Sequence, residues 1–162
     1  MTATRSRAAV SHLVIALVFG SSGCALLGSE VESTAIATSS VQPDVKSTTA
    51  SAQQDALDAY VASAQAVIPQ LMESAPGVYA EMQINGIDSD TVEFAYVYAE
   101  QLDAASAAEY FDGVAATLQA TCDSVVIPEM EGAGITVDPK VRYTYYNADG
   151  SDVWERTFSR SS

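Results

Sequence analysis

Apolar residues after Ser51 recur first at helical spacing and then at strand spacing. The first segment repeats every three or four residues, which predicts a helix that begins with a capping box at Ser51 and Gln54. Its apolar stripe consists of Leu57, Tyr60, Val61, Ala64, Val67, Ile68 and Leu71. Pro69 is expected to kink this helix or to start a new short turn, and the helix must end before Pro76.

Two segments of alternating residues follow and predict a β-hairpin with a turn around residues 86–90. The first strand is expected to place Val78, Ala80, Met82 and Ile84 on one face. The second is expected to bury Val92, Phe94, Tyr96 and Tyr98. Both patterns have the period of two that a half-buried strand requires.

The same order then recurs. Ser106 and Glu109 form a second capping box, and the buried stripe of the second helix is predicted to be Tyr110, Phe111, Val114, Leu118, Cys122 and Val125. Strands are predicted at residues 137–146 and 152–159, around a turn at residues 147–150. Val126-Ile127-Pro128 repeats Val67-Ile68-Pro69 at an offset of 59 residues, which suggests a duplicated unit. The predicted fold is α+β, with a four-stranded antiparallel sheet and two helices on one face.

The first residues have the features of an export signal, because Arg5 and Arg7 precede a short uncharged apolar core. Ser21-Ser22-Gly23-Cys24 resembles the cleavage box of bacterial lipoproteins, with Ser21 where that family usually has Leu. The resemblance implies a lipid on Cys24 and an anchor on the outer face of the cell membrane. The expected organisation is a signal peptide over residues 1–23, a Ser/Thr-rich tether over 24–50 and one domain over 51–162. The alternative is an ordinary secreted protein cut near Gly23.

The few histidines and cysteines limit the chemistry of the mature chain. His12, the only histidine, lies in the expected signal peptide, so imidazole is excluded as a base or metal ligand. Cys122 is interpreted as a small buried hydrophobe, and a Cys24–Cys122 disulfide competes only if lipidation fails. The Asp and Asn residues of the two hairpins suit turns better than a calcium loop. No metal and no cofactor is expected.

Charge is distributed unevenly along the chain. After removal of the signal, 21 acids and 5 bases give a net charge of 5 − 21 = −16, which disfavours nucleic acid and anionic lipid surfaces as partners. The basic residues of the domain lie in the last two predicted strands. A candidate binding face is therefore predicted there, consisting of Arg142, Tyr146, Trp154 and Arg156.

Several short motifs occur in a fixed order: the Ser/Thr-rich tether, Val-Ile-Pro, Phe-Ala-Tyr-Val-Tyr, and a closing Tyr-Tyr-Asn-Ala-Asp-Gly hairpin. Together they resemble a family of small Gram-positive exported lipoprotein domains of unknown function, and the likeness spans about residues 56–158. The resemblance brings no catalytic residues. The favoured hypothesis is a non-catalytic envelope lipoprotein that binds a protein, peptide or wall component. One alternative is a secreted-inhibitor-like module. Another is an envelope hydrolase with a carboxylate pair drawn from Glu81, Glu93, Asp103 and Glu109. The sequence does not indicate an oligomeric state.

Overall fold

The computed structural model describes residues 45–161, with side chains from residue 49 onward. The predicted signal peptide, Cys24 and most of the predicted tether, residues 24–44, lie outside the described residues. The helices are α1 (Val45–Gln65), α2 (Ile68–Ser74), α3 (Ala104–Thr121) and α4 (Ile127–Gly132), and a π-helical turn, Cys122–Val126, joins the last two. The strands are β1 (Tyr79–Ile87), β2 (Thr91–Tyr98), β3 (Lys140–Tyr146) and β4 (Asp152–Ser159).

The four strands form one mixed sheet in the order β1-β2-β3-β4. The α+β class and the strand count are as predicted, but the fully antiparallel arrangement is wrong, because β2 and β3 are parallel. The reason is the long connection through α3 and α4, which returns the chain to the end of the sheet where β2 began. The backbone N–H of Lys140 there donates to the carbonyl of Asp90 at 2.8 Å. Parallel neighbours require such a crossover.

Both long helices pack on one face of the sheet, as predicted. The side chain of Leu57 in α1 lies over Gly86 of β1, where an added Cβ would be 3.1 Å from it. Phe111 of α3 stacks on Tyr145 of β3, with 4.1 Å between the ring centroids. The register places Gly86, Val92 and Val141 side by side on that same face. The hydrophobic core therefore lies between the helices and this face.

Helix α1 begins at Val45, six residues before the predicted start. The capping box at Ser51 and Gln54 is therefore not the helix N-terminus. The Gln54 amide instead donates to Asp58 one turn later, at 2.9 Å. Of the two expectations for Pro69, the new short turn is the one observed, since Pro69 occupies the first turn of α2, where a missing N–H costs nothing.

The π-helical turn changes which residues of the second helix are buried. The N–H of Ile127 bonds to the carbonyl of Cys122, five residues earlier, so one extra residue fits into the turn before Pro128. The helical stripe predicts Val125 on the buried side. Instead, Val126 is 4 % exposed and Val125 is half-buried. The extra residue shifts the phase of the helix after Cys122.

A register shift between Tyr79 and Glu81 likewise changes which residues of β1 are buried. Met82 and Ile84 are buried as predicted, but Val78 and Ala80 are exposed. The ring of Tyr79 lies 5.2 Å from those of Tyr96 and Tyr98. The irregularity therefore turns Tyr79, in place of Ala80, toward the rings of Tyr96 and Tyr98.

The two halves repeat in length but not in arrangement. Helices α3 and α4 begin 59 residues after α1 and α2, and strands β3 and β4 begin 61 residues after β1 and β2. However, β3 runs opposite to β1. A half-turn about an axis perpendicular to the sheet would give β1 the direction of β3, but it would also reverse the order of the strands across the sheet. The observed order, β1-β2-β3-β4, is not reversed. No simple rotation therefore relates the two halves.

Two buried amide side chains attach the loops to this framework. Gln53 accepts hydrogen bonds from the N–H groups of Thr136 (3.2 Å) and Val137 (2.8 Å), and it donates to the Val137 carbonyl. Asn147 accepts from the N–H of Leu102 at 2.8 Å and donates to its carbonyl at 3.3 Å. Each amide side chain thus pairs with backbone groups as a neighbouring strand would.

In the described part of the chain, no helix has the length and apolarity to span a bilayer.

Candidate functional site

The sheet face opposite the two long helices carries a row of polar side chains and is called the open face here. Alternation along the strands assigns to it Asn85, Glu93, Ala95, Arg142, Thr144, Tyr146 and Glu155. Two of the four residues of the predicted binding face, Arg142 and Tyr146, belong to this surface, and both are half-buried.

The other two, Trp154 and Arg156, lie on the helix side of β4. Trp154 is only 8 % exposed, stacks on Phe111 and donates from its indole N–H to Asp112 of α3 at 3.0 Å. The Arg156 guanidinium lies 5.9 Å from the centre of the Trp154 rings. The predicted set therefore does not form one surface, because the β3–β4 register puts Trp154 opposite Tyr145, which faces the core.

A buried carboxylate, that of Glu93, organises the centre of the open face. Its Oε1 accepts from the Arg142 Nε at 3.0 Å and from the Thr144 hydroxyl at 2.9 Å. Its Oε2 accepts from the Asn85 amide at 3.2 Å. These bonds offset the cost of removing the charge from water, and they fix the guanidinium of Arg142 in place. Sequence patterns missed this group because its members come from three strands.

Tyr146 lies beside this cluster. Partial burial is the main cause that raises the pKa of its phenol group, and the nearby charges of Glu93, Asp152 and Glu155 raise it further. The phenol is therefore protonated at neutral pH and can donate a hydrogen bond.

The four acids considered for an enzyme do not converge. Glu81 is four residues along β1 from the residue that pairs with Glu93, so their backbones are about 14 Å apart. Asp103 caps α3 by accepting from the N–H of Ser106 at 2.9 Å, and Glu109 is exposed on the same helix. Glu93 alone among the four is buried, and Arg142 already neutralises it.

The thiol of Cys122 is fully buried where α3 meets the π-helical turn. Burial raises its pKa to about 12, against a smaller opposite effect of a hydrogen bond from Tyr143. Its place in the core is as predicted. A thiol with so high a pKa is a poor nucleophile at neutral pH.

A groove of about 570 Å³ lies between the second half of α1 and the segment formed by the π-helical turn and α4. Its lining residues are Tyr60, Ser63, Ala64, Ser124, Val125, Pro128, Glu129 and Gly132. Local sequence patterns give no sign of this groove, because the segments that form it are about sixty residues apart.

Every basic side chain described by the structure is paired with an acid. Lys140 contacts Asp90 and Asp138, Arg142 contacts Glu93, Arg156 approaches Asp112 at 3.9 Å, and Arg160 contacts Glu131. Within residues 49–161, no cluster of three His, Cys, Asp or Glu side chains is arranged to hold a metal ion.

Comparison with known proteins identifies no relative. No protein-family model matches the chain, and neither a curated protein nor a solved structure matches it.

Proposed function

We propose that this chain is an extracytoplasmic lipoprotein of the small Gram-positive type, anchored through Cys24, whose domain is a non-catalytic binding module. The export features of residues 1–23 and the Ser-Ser-Gly-Cys box support the anchor. Two acyl chains would hold it stably, whereas one chain gives only marginal residence at about 0.8 kcal/mol per buried CH₂. The partner is an extracytoplasmic protein, peptide or wall component.

The observation that carries the binding proposal is the pair Arg142 and Tyr146 on the open face. Arg142 is held by Glu93, yet its side chain is still 29 % exposed. Binding through a side chain that is already fixed costs less entropy than binding through a mobile one. Aromatic and arginine side chains also supply much of the energy at protein interfaces.

The anchor is tested by replacing the cysteine. Cys24→Ala should release the protein from the membrane fraction or leave its signal uncleaved, measured by fractionation and mass spectrometry of the full chain. A matched Cys122→Ala variant should be retained, because its thiol is in the core. Normal cleavage with unchanged membrane retention of Cys24→Ala would reject the lipid assignment.

The open face is tested by capture of partners from envelope extract with the immobilised full chain. Tyr146→Ala should reduce specific capture at least fivefold, about 1 kcal/mol. Tyr110→Ala is the matched control, since Tyr110 is another half-buried tyrosine but lies on α3. Equal capture by the two variants would remove the open face from the proposal, and no specific capture by the unaltered chain would reject the binding module.

A further inference from the structure

The groove between α1 and α4 has the size of a small-molecule site. Its volume of about 570 Å³ falls within the roughly 300–1,000 Å³ that such sites occupy. The residues that face the groove are small, Ser63 and Ala64 on one wall and Gly132 on the other, so they leave the space between the two helical segments unfilled. Apolar groups of Val125 and Pro128 complete the lining.

Two of the lining residues offer specific polar contacts. The Tyr60 hydroxyl is buried and lies beside the carboxylate of Glu129. Burial, followed by the charge of Glu129 and a hydrogen bond to it, raises the pKa of this hydroxyl, so the group stays protonated at neutral pH. An aromatic ring next to a carboxylate is a favourable environment for a cation, which gains from both the ring face and the negative charge.

The charge of the domain determines which sign of ligand the groove can accept. Residues 49–161 contain 4 bases and 18 acids, a net charge of 4 − 18 = −14. The four bases form their ion pairs with acids outside the groove lining. An anion would therefore be repelled both by the wall of the groove and by the field around it, whereas a cation would be attracted by both.

We propose that this groove binds a small organic cation with an apolar body, the cationic end lying against the Glu129 carboxylate and the Tyr60 ring and the apolar end against Val125 and Pro128. This site is separate from the open face and does not depend on the function proposed for it. The ligand class includes aryl-alkyl and alkyl amines.

The probe for this site is phenethylammonium, titrated into the isotope-labelled full chain and followed by amide NMR. Saturable shifts are expected at Ser63, Ser124 and Gly132. The neutral analogue 2-phenylethanol should bind about tenfold more weakly, the loss expected for one favourable charge contact in a partly dry site. Glu129→Gln should reduce this preference to about twofold or less.

Gly132 allows the groove to be filled without strain. A Cβ built there meets nothing within 4 Å, so Gly132→Leu should occupy the groove and weaken phenethylammonium binding at least tenfold. The matched control is Gly113→Leu in α3, where a Cβ also meets nothing and no groove residue is near in sequence. That variant should bind as the unaltered chain does.

Three results would overturn the proposal. They are no saturable shifts with phenethylammonium, equal binding of the neutral alcohol, and unchanged binding by a folded Gly132→Leu variant. Failure of the open-face capture experiment would leave this proposal intact, since the two experiments probe opposite sides of the domain.

Discussion

Cys122 lies in the core at the start of the π-helical turn, with its thiol next to the Tyr143 hydroxyl. In a Cys24→Ala background it is the only thiol, and it should react with DTNB near pH 8 much more slowly in the folded chain than in denaturant. Burial and a pKa of about 12 both suppress the thiolate. Fast labelling of the folded chain would contradict this assignment.

The free energy of unfolding of Cys122 variants tests the same environment. Cys122→Ala should lower the free energy of unfolding by about 1–2 kcal/mol through the cavity left by the sulfur. Cys122→Ser should cost a similar amount, because Tyr143 can pair with the new hydroxyl and offset part of its burial. Urea unfolding of both variants tests this, and a much larger loss for serine would exclude the hydrogen bond from Tyr143.

Asn147 is 1 % exposed and joins the last hairpin to the loop before α3 through both backbone groups of Leu102. Asn147→Ala leaves those groups without partners, so the free energy of unfolding should fall by about 1–3 kcal/mol. The matched control is Asn85→Ala, whose half-buried amide makes a single bond, of 3.2 Å, to Glu93. Its loss should be clearly smaller, and equal losses in urea unfolding would contradict the role given to Asn147.

At the scale of elements, the start of α1 determines the smallest stable fragment. A chain beginning at residue 45 keeps every described element, whereas one beginning at residue 51 loses the first six residues of α1. Fraying of the shortened helix would then reach Gln53, which holds the loop at Val137. The longer fragment should unfold in one cooperative transition at a higher midpoint temperature. Equal midpoints by calorimetry would mean that residues 45–50 add no stability.

At the scale of the whole molecule, repulsion among acids is the dominant electrostatic contribution to stability. The 18 acids in residues 49–161 far outnumber the 4 bases, and exposed ion pairs contribute little to the free energy of unfolding. Raising the salt concentration from about 0.01 to 0.15 M shortens the screening length from about 30 to 8 Å, so the midpoint temperature should rise.

Removal of charge provides the control for this salt effect. Asp55→Asn with Glu73→Gln removes two exposed acids that form no ion pair in the described structure, and it should reduce the salt dependence. A midpoint that falls as salt is added would show instead that the ion pairs outweigh the repulsion.

Local spacing in the sequence was sufficient to predict the two long helices, the two hairpins, and most of the buried face. Leu57, Phe94 and Tyr145 are buried because the period of an element determines which of its side chains share a face. Strand β4 was predicted with its observed bounds for the same reason.

Tertiary structure alone determined how these elements are arranged and where single residues shift the pattern. The parallel β2–β3 pair depends on the path of a connection of about forty residues, and the side of the sheet that Trp154 faces depends on its pairing with Tyr145. The π-helical turn and the irregularity at Tyr79 each move one residue out of the expected phase. The Glu93 cluster and the groove at Gly132 join segments distant in sequence. Local spacing carries no information about such contacts, since packing between elements selects them.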